Sequence, residues 1–262
     1  MRCQVGYNKG DTYEEKIFDI CNDKKVIFPG TKRAGAGGSA DISLYCDKNK
    51  VNVEVKSEGA DWGQKYLDFD KNGWYWQNPD SVTALYDDIG LINMIDPEFT
   101  PRNANIKGLP KSEWFELRKS IITKEDKQYD YKKFSKYIPC PLKILFEYYK
   151  KKDCFYIQLE DSGFYYLHQD KFDLGVPQFD GEVLVRLRHK TQHAHAYFID
   201  NKKIKTKKEF EERKEEDIGN DFKVIDTPWD TVFSAVMKLE KKPTKSKFNL
   251  EENNDQEFPN II

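Results

Sequence analysis

A chain of 262 residues, 38% hydrophobic and 14% aromatic, is long enough to bury a substantial core as one large domain or two small ones. Charged residues reach 34% but the net charge is only −2, which excludes a uniformly basic nucleic-acid binder. The charges are segregated: residues 58–100 carry nine acids against two bases, and 101–152 carry fourteen bases against six acids. Such a basic block can face a polyanion or form a solvated helical surface. Cysteines at 3, 21, 46, 140 and 154 show no zinc spacing and read as small buried hydrophobes in a reducing compartment. The N-terminal stretch lacks the apolar run of a signal peptide, and no run approaches the roughly 18 residues of a membrane span. These absences predict a soluble, cytoplasmic protein with no membrane partner.

In chain order, "GDTYEEKIFDICND" predicts a helix, with Tyr13, Ile17, Ile20 and Cys21 at helical spacing. "KVIFP" predicts a short strand, and "GTKRAGAGGSA" a glycine-rich basic loop. "DISLYC" and "VNVEVK" predict two strands joined by a turn at 47–50. The aromatic stretch 61–80 reads as irregular, and 80–94, 110–122 and 141–151 as helical. Four strand-like runs between 154 and 200 suggest a β-rich unit, followed by a charged helix at 206–217 and an amphipathic segment, "WDTVFSAVMKL". The segment after 240 is polar and reads as loosely held.

The chemistry lies in the 41–56 hairpin. At a period of two, Val51, Val53 and Val55 share one strand face, and Asn52, Glu54 and Lys56 the other. Pairing Cys46 with Val51 would set Asp41 across from Lys56 and Ser43 across from Glu54, so that two carboxylates and an ammonium converge. Paired carboxylates repel unless a cation sits between them, and a small oxygen ligand set suits Mg²⁺. A lysine beside such a pair can orient or help deprotonate an attacking water, or bind phosphate. Together these features favour phosphodiester hydrolysis. Glu-x-Lys occurs five times in this charged chain, but only Glu54/Lys56 lies in an alternating valine strand behind a carboxylate.

The spacing Asp41, twelve residues, Glu54-Val55-Lys56 resembles that of the PD-(D/E)XK nuclease superfamily, with Ala40 in place of the literal proline. Gly10 and Glu14 look like the glycine and glutamate of that family's first helix, and "KRAGAGGSAD" is similar to its loop before the catalytic strand. Gln64 stands where many relatives carry a helical glutamine. The resemblance, over about residues 8–70, implies an α/β fold (an α+β mixed sheet) with a restriction-endonuclease-like αβββαβ core and a β-rich C-terminal extension. It implies Mg²⁺, with Mn²⁺ able to substitute, on Asp41, Glu54 and the Val55 carbonyl. Lys56 would serve the attacking water, and Glu14 would bind through water or a second ion, its neighbour Glu15 being the competing choice.

Other candidates are DNA contacts. Arg186, Arg188 and Lys190 share a strand face, which serves either a DNA-contacting hairpin or an edge strand guarded by charge. His189, His193 and His195 lie nearby and could add donors. Lys32, Arg33, Ser39 and Lys65 flank the presumed core. Trp62, Tyr66, Trp74, Tyr75 and Trp76 either pack internally or stack on bases. The expected division is a nuclease core at 1–100, a basic helical segment at 101–152, a β-rich DNA-binding unit at 153–240 and a polar tail at 241–262. The expected protein is a Mg²⁺-dependent, site-specific endonuclease of double-stranded DNA, of the type II restriction class. It would act as a homodimer, with a cognate DNA methyltransferase encoded nearby. The alternatives are a Holliday-junction-resolvase-like nuclease and an inactive DNA-binding module of the same fold.

Overall fold

The computed structural model describes residues 9–31, 40–70, 72–101, 123–204, 206–216, 221–252 and 257–259, with the side chains of 9, 11, 191–195, 208, 216 and 226–231 outside the description. Helix α1 (Lys9–Asp23) buries Tyr13, Ile17 and Cys21, one per turn along a single stripe. It stops in a Schellman motif: Lys25 takes a positive φ of 60°, Val26 N–H donates to the Cys21 carbonyl and Lys25 N–H to Asn22. The expected "KVIFP" strand is reduced to a bridge between Ile27 and Leu44, bounded by hydrogen bonds from Phe28 to Ser43 and from Tyr45 to Val26.

Strands β1 (Ile42–Cys46) and β2 (Asn49–Lys56) form a hairpin whose turn is shorter than expected. Asp47 and Lys48 both have positive φ, 45° and 68°, the type I′ geometry whose twist matches the flanking strands. Cys46 therefore pairs with Asn49 rather than Val51, and Ile42 with Val53. The slip relative to the expected register is two residues, so every side chain keeps its face.

The chain then builds β3 (Asp61–Asp70) and β4 (Gly73–Trp76) through the aromatic stretch expected to be irregular. Helix α2 (Ser81–Asp88) follows, capped by Asp80, and then a short 3₁₀ turn (Ile92–Met94). Helix α3 (Lys124–Phe134), strand β5 (Lys136–Cys140) and helix α4 (Leu142–Lys150) lead to β6 (Tyr156–Leu159) and β7 (Gly163–Tyr166). The predicted helix at 110–122 lies outside the described residues. Strand β8 (Glu182–Ile199) runs through what reads in the sequence as two strands. After β9 (Lys202–Ile204) and α5 (Lys207–Glu216), β10 (Phe222–Lys241) takes up the amphipathic segment.

Two sheets result. The first has the order β1-β2-β6-β7, with β2 and β6 parallel; the second has the order β4-β3-β10-β8-β5, with β9 on β8. The fold is mixed α+β, and α1, the 26–28 bridge, β1, β2, α4 and β6 reproduce the αβββαβ succession. The four-part division by composition is not the division of the sheets. β6 and β7, from the supposed accessory unit, complete the first sheet, and β3 and β4, from the supposed core, join the other. Hydrogen bonding across strands ignores compositional boundaries. The C-terminal segment is held as well: Phe164 N–H donates to the Phe248 carbonyl, Ser246 N–H to Ser162, and Leu250 is fully buried.

α1 packs against the valine face of the first sheet, in one cluster with Val51, Val53, Val55, Tyr156 and Phe164. The opposite face contributes Ile157, Leu159 and Tyr165 to a larger core with α4 residues Leu145 and Tyr149 and the inner face of the second sheet, Trp62, Leu67, Val185, Leu187 and Phe233. Cys21, Cys46, Cys140 and Cys154 are all buried and unpaired, as expected of small hydrophobes.

β3 contains a bulge. Ala235 pairs with Lys65 and Met237 with Trp62, so Gly63 and Gln64 together oppose Val236. Gly63 has φ +58°, the left-handed glycine of a G1 bulge. A Cβ there would meet Met237 Cε at 3.0 Å and the Tyr86 hydroxyl at 3.3 Å. Gly63→Ala is therefore expected to cost about 1–3 kcal/mol in chemical denaturation, from left-handed strain plus crowding.

His189 faces inward from β8, 5.2 Å from the Phe233 ring, rather than joining the arginine face. Burial, with the nearby Lys127 charge, pushes its pKa from 6.5 down to about 4. The folded state keeps it neutral while the unfolded chain protonates it below 6.5. Stability is therefore expected to fall as pH drops from 6.5 to about 4 and to lose nothing more from this group below that. Melting temperatures across this range should fall less steeply for His189→Leu than for the native chain.

Candidate active site

Asp41 sits at the mouth of β1, and Glu54 and Lys56 project from β2 on the face opposite the valines. The observed register, extended by one residue, sets Asp41 across from Glu54. Asp41 Oδ2 accepts from the Val55 N–H and from Lys56 Nζ, both at 2.9 Å. Lys56 Nζ also lies 2.7 Å from Glu54 Oε1 and 3.1 Å from the Val55 carbonyl oxygen. One ammonium thus touches all three oxygen groups expected to hold a divalent cation.

Glu54 is buried at 4% exposure, and its Oε2 has no hydrogen-bond partner among the described residues. Desolvation raises the Glu54 pKa; the Lys56 charge opposes that shift and the Asp41 charge adds to it. For Lys56, burial works against the charged form, but the Glu54 and Asp41 carboxylates outweigh it and hold the pKa above the ordinary lysine value. The lysine is therefore a fixed positive charge at neutral pH.

The donor set fits a hard divalent cation. A buried carboxylate oxygen without a partner, a second carboxylate and a backbone carbonyl converge where an ammonium already finds its charge compensated. No group of three or more His, Cys, Asp or Glu side chains forms a metal cluster among the described residues. In particular, Glu14 is not drawn into the site. α1 lies against the valine face, whereas Asp41 and Glu54 occupy the other. Glu14 is half-buried and Glu15 exposed, so the choice between them falls on Glu14 without bringing it to the cation ligands.

Sequence reasoning missed two neighbours. Lys152, at the end of α4, is half-buried over the Tyr148 ring at 4.6 Å. Burial opposes its charge, but Glu54 and the bond to Tyr148 raise its pKa overall. Tyr149, fully buried beside the same carboxylates, has a pKa well above the ordinary tyrosine value, chiefly from desolvation. In the sequence, Lys152 is the last of a lysine run and carries no distinguishing signal.

The expected DNA contacts separate. Lys32, Arg33 and Ser39 lie outside the described residues. Gln64 is on a strand, not a helix, and donates weakly to Ser234 Oγ at 3.4 Å. Lys65 pairs with Asp80 at the start of α2, because the side chain of that capping residue is within its reach. Arg186 and Arg188 both bind Asp61 Oδ2, at 3.2 and 3.3 Å, and Lys190 is exposed on β8. His193 and His195 fall on β8, with side chains outside the description. Of the aromatic group, Trp62 and Trp76 are buried and Trp74 packs against the core, while Tyr66 and Tyr75 are exposed.

No family model and no curated protein matches the chain. Among solved structures it is similar to HhaI endonuclease in complex with DNA, with 15% identity over 88% of this chain and 92% of that one and a TM-score of 0.44. No helix among the described residues is long and apolar enough to cross a membrane.

Proposed function

We propose that the chain is a Mg²⁺-dependent nuclease that hydrolyses phosphodiester bonds of double-stranded DNA. The supporting observation is the convergence of Asp41, Glu54 and the Val55 carbonyl on one charged nitrogen, with a buried Glu54 oxygen left over. Asp41, Glu54 and Val55 would hold the cation, with Mn²⁺ able to substitute. When bound, such an ion polarises the phosphoryl oxygen and lowers the pKa of a coordinated water. The chain supplies the rest. Because carboxylate neighbours keep Lys56 protonated, it acts as a donor rather than a base: it orients the attacking water and offsets negative charge growing on the phosphate oxygens. Lys152 adds a second cation near Glu54.

Within this reading we favour site-specific cleavage of the type II restriction kind. The large second sheet supplies surface beyond what the chemistry needs, and cutting both strands calls for a homodimer. A DNA methyltransferase would be its protective partner. Incubating the protein with plasmid and Mg²⁺ tests the proposal: discrete fragments support it, a smear would mean a non-specific nuclease, and cleavage of four-way junctions alone a resolvase. Tight DNA binding without cutting in Mg²⁺ or Mn²⁺ would mean an inactive binding module and sink the assignment.

A further inference from the structure

We infer that the outward face of the second sheet is the surface that takes the phosphodiester backbone of duplex DNA, and that Asp61 is the counter-ion a phosphate replaces there. This rests on the nuclease reading and assigns that site its substrate-holding surface.

The face is built by register. Tyr66, Ser234 and Arg188 are directly paired neighbours across β3, β10 and β8. Val236, Arg186 and Tyr137 are likewise paired across β10, β8 and β5. Ser234 and Val236 are buried and form a floor, while Tyr66 and Tyr137 are 43% and 63% exposed at the two sides. Lys190 continues the arginine alternation along β8. The Gly63 bulge adds Asp61: without it, Asp61 and Gln64 would point to opposite faces, and with it both point outward.

The cluster is short of negative charge. Two guanidiniums share one oxygen of one carboxylate, and both Nε atoms are buried without an acceptor among the described residues, leaving the outer nitrogens of these partly exposed side chains to meet a ligand. A pair of guanidiniums flanked by exposed tyrosines, with an exposed lysine further along the strand, suits an extended polyanion better than a small enclosed ion. Asp61 is also five residues after Lys56, so their Cα atoms are at most about 18 Å apart. Asp61 is thus a positioning residue: it holds the two arginines while DNA is absent and competes with non-cognate phosphates.

The test measures binding of the full-length chain to a fluorescently labelled duplex, without divalent metal, across a salt series. Asp61→Asn should tighten binding about fivefold at low salt, as removal of a competing carboxylate does. Arg186→Gln with Arg188→Gln should weaken it more than about tenfold and reduce the slope of log affinity against log salt by about 2. Arg186→Lys with Arg188→Lys should keep that slope, which separates charge from fold. A purely structural Asp61 would lower the melting temperature and leave affinity and slope unchanged, overturning the assignment. Stabilisation by millimolar inorganic phosphate that disappears in the double Gln variant, with duplex affinity unaltered, would mean a small-anion site and also overturn it. A native protein that cuts DNA while all variants bind as it does would sink this inference alone. No duplex binding by the native protein would sink the nuclease reading with it.

Discussion

Glu54→Gln is expected to reduce Mg²⁺-dependent DNA cleavage at least about a hundredfold, and Asp41→Asn to do the same, while both proteins still fold. Glutamine keeps the shape of the buried side chain but removes the charge on the oxygen that has no protein partner. Desolvation raises the Glu54 pKa, with the Lys56 charge opposing it, so burial of the ionised carboxylate works against the fold. Stability from a carboxyl with a raised pKa is present at acid pH and is lost as pH rises past its unfolded value. At neutral pH the substitution should therefore leave the melting temperature unchanged or higher. Single-turnover cleavage with a thermal melt on the same preparation checks both halves. A variant that loses activity by unfolding would show Glu54 to be structural.

The second large effect belongs to Lys56. Its ammonium lies among the same three oxygen groups that would bind the cation, so the lysine and the ion compete for one charge-compensating position. Lys56→Ala should lower cleavage at least about a hundredfold. It should also tighten metal binding by about tenfold, which corresponds to about 1.4 kcal/mol. Without metal, the variant leaves two neighbouring carboxylates uncompensated and should melt lower than the native chain. With rising Mg²⁺ or Mn²⁺ it should gain more stability than the native chain gains. Thermal-shift titration reads this directly. Full activity in Lys56→Ala would remove the lysine from the chemistry, and equal metal midpoints in the two proteins would remove the competition.

The local chemistry was legible in the sequence because a strand has a period of two. Alternation alone placed Glu54 and Lys56 on one face and the valines on the other, and that survived a misjudged turn because the slip was even. What alternation could not supply was the partner of each strand. β3 and β4 looked irregular because Gly63 and the turn before Gly73 interrupt their pattern, and β8 read as two strands because polar residues at 189–195 break its apolar signal. The setting of Glu14 was out of reach of the sequence for a related reason. Helical spacing identifies the stripe Tyr13, Ile17 and Cys21, but not which face of the sheet that stripe covers. Asp61 carried no signal, since its orientation depends on one left-handed glycine two residues later.

That glycine has a further consequence. Between Lys56 and Tyr66 the chain carries one residue more than a regular ladder would hold, and the bulge at Gly63 absorbs it. Regular one-to-one pairing of every residue from Asp61 to Lys65 would turn the Asp61 carboxylate toward the tryptophans and bring an indole out to solvent in its place. Whether Asp61 meets the arginine pair or the tryptophans is therefore decided by one backbone torsion.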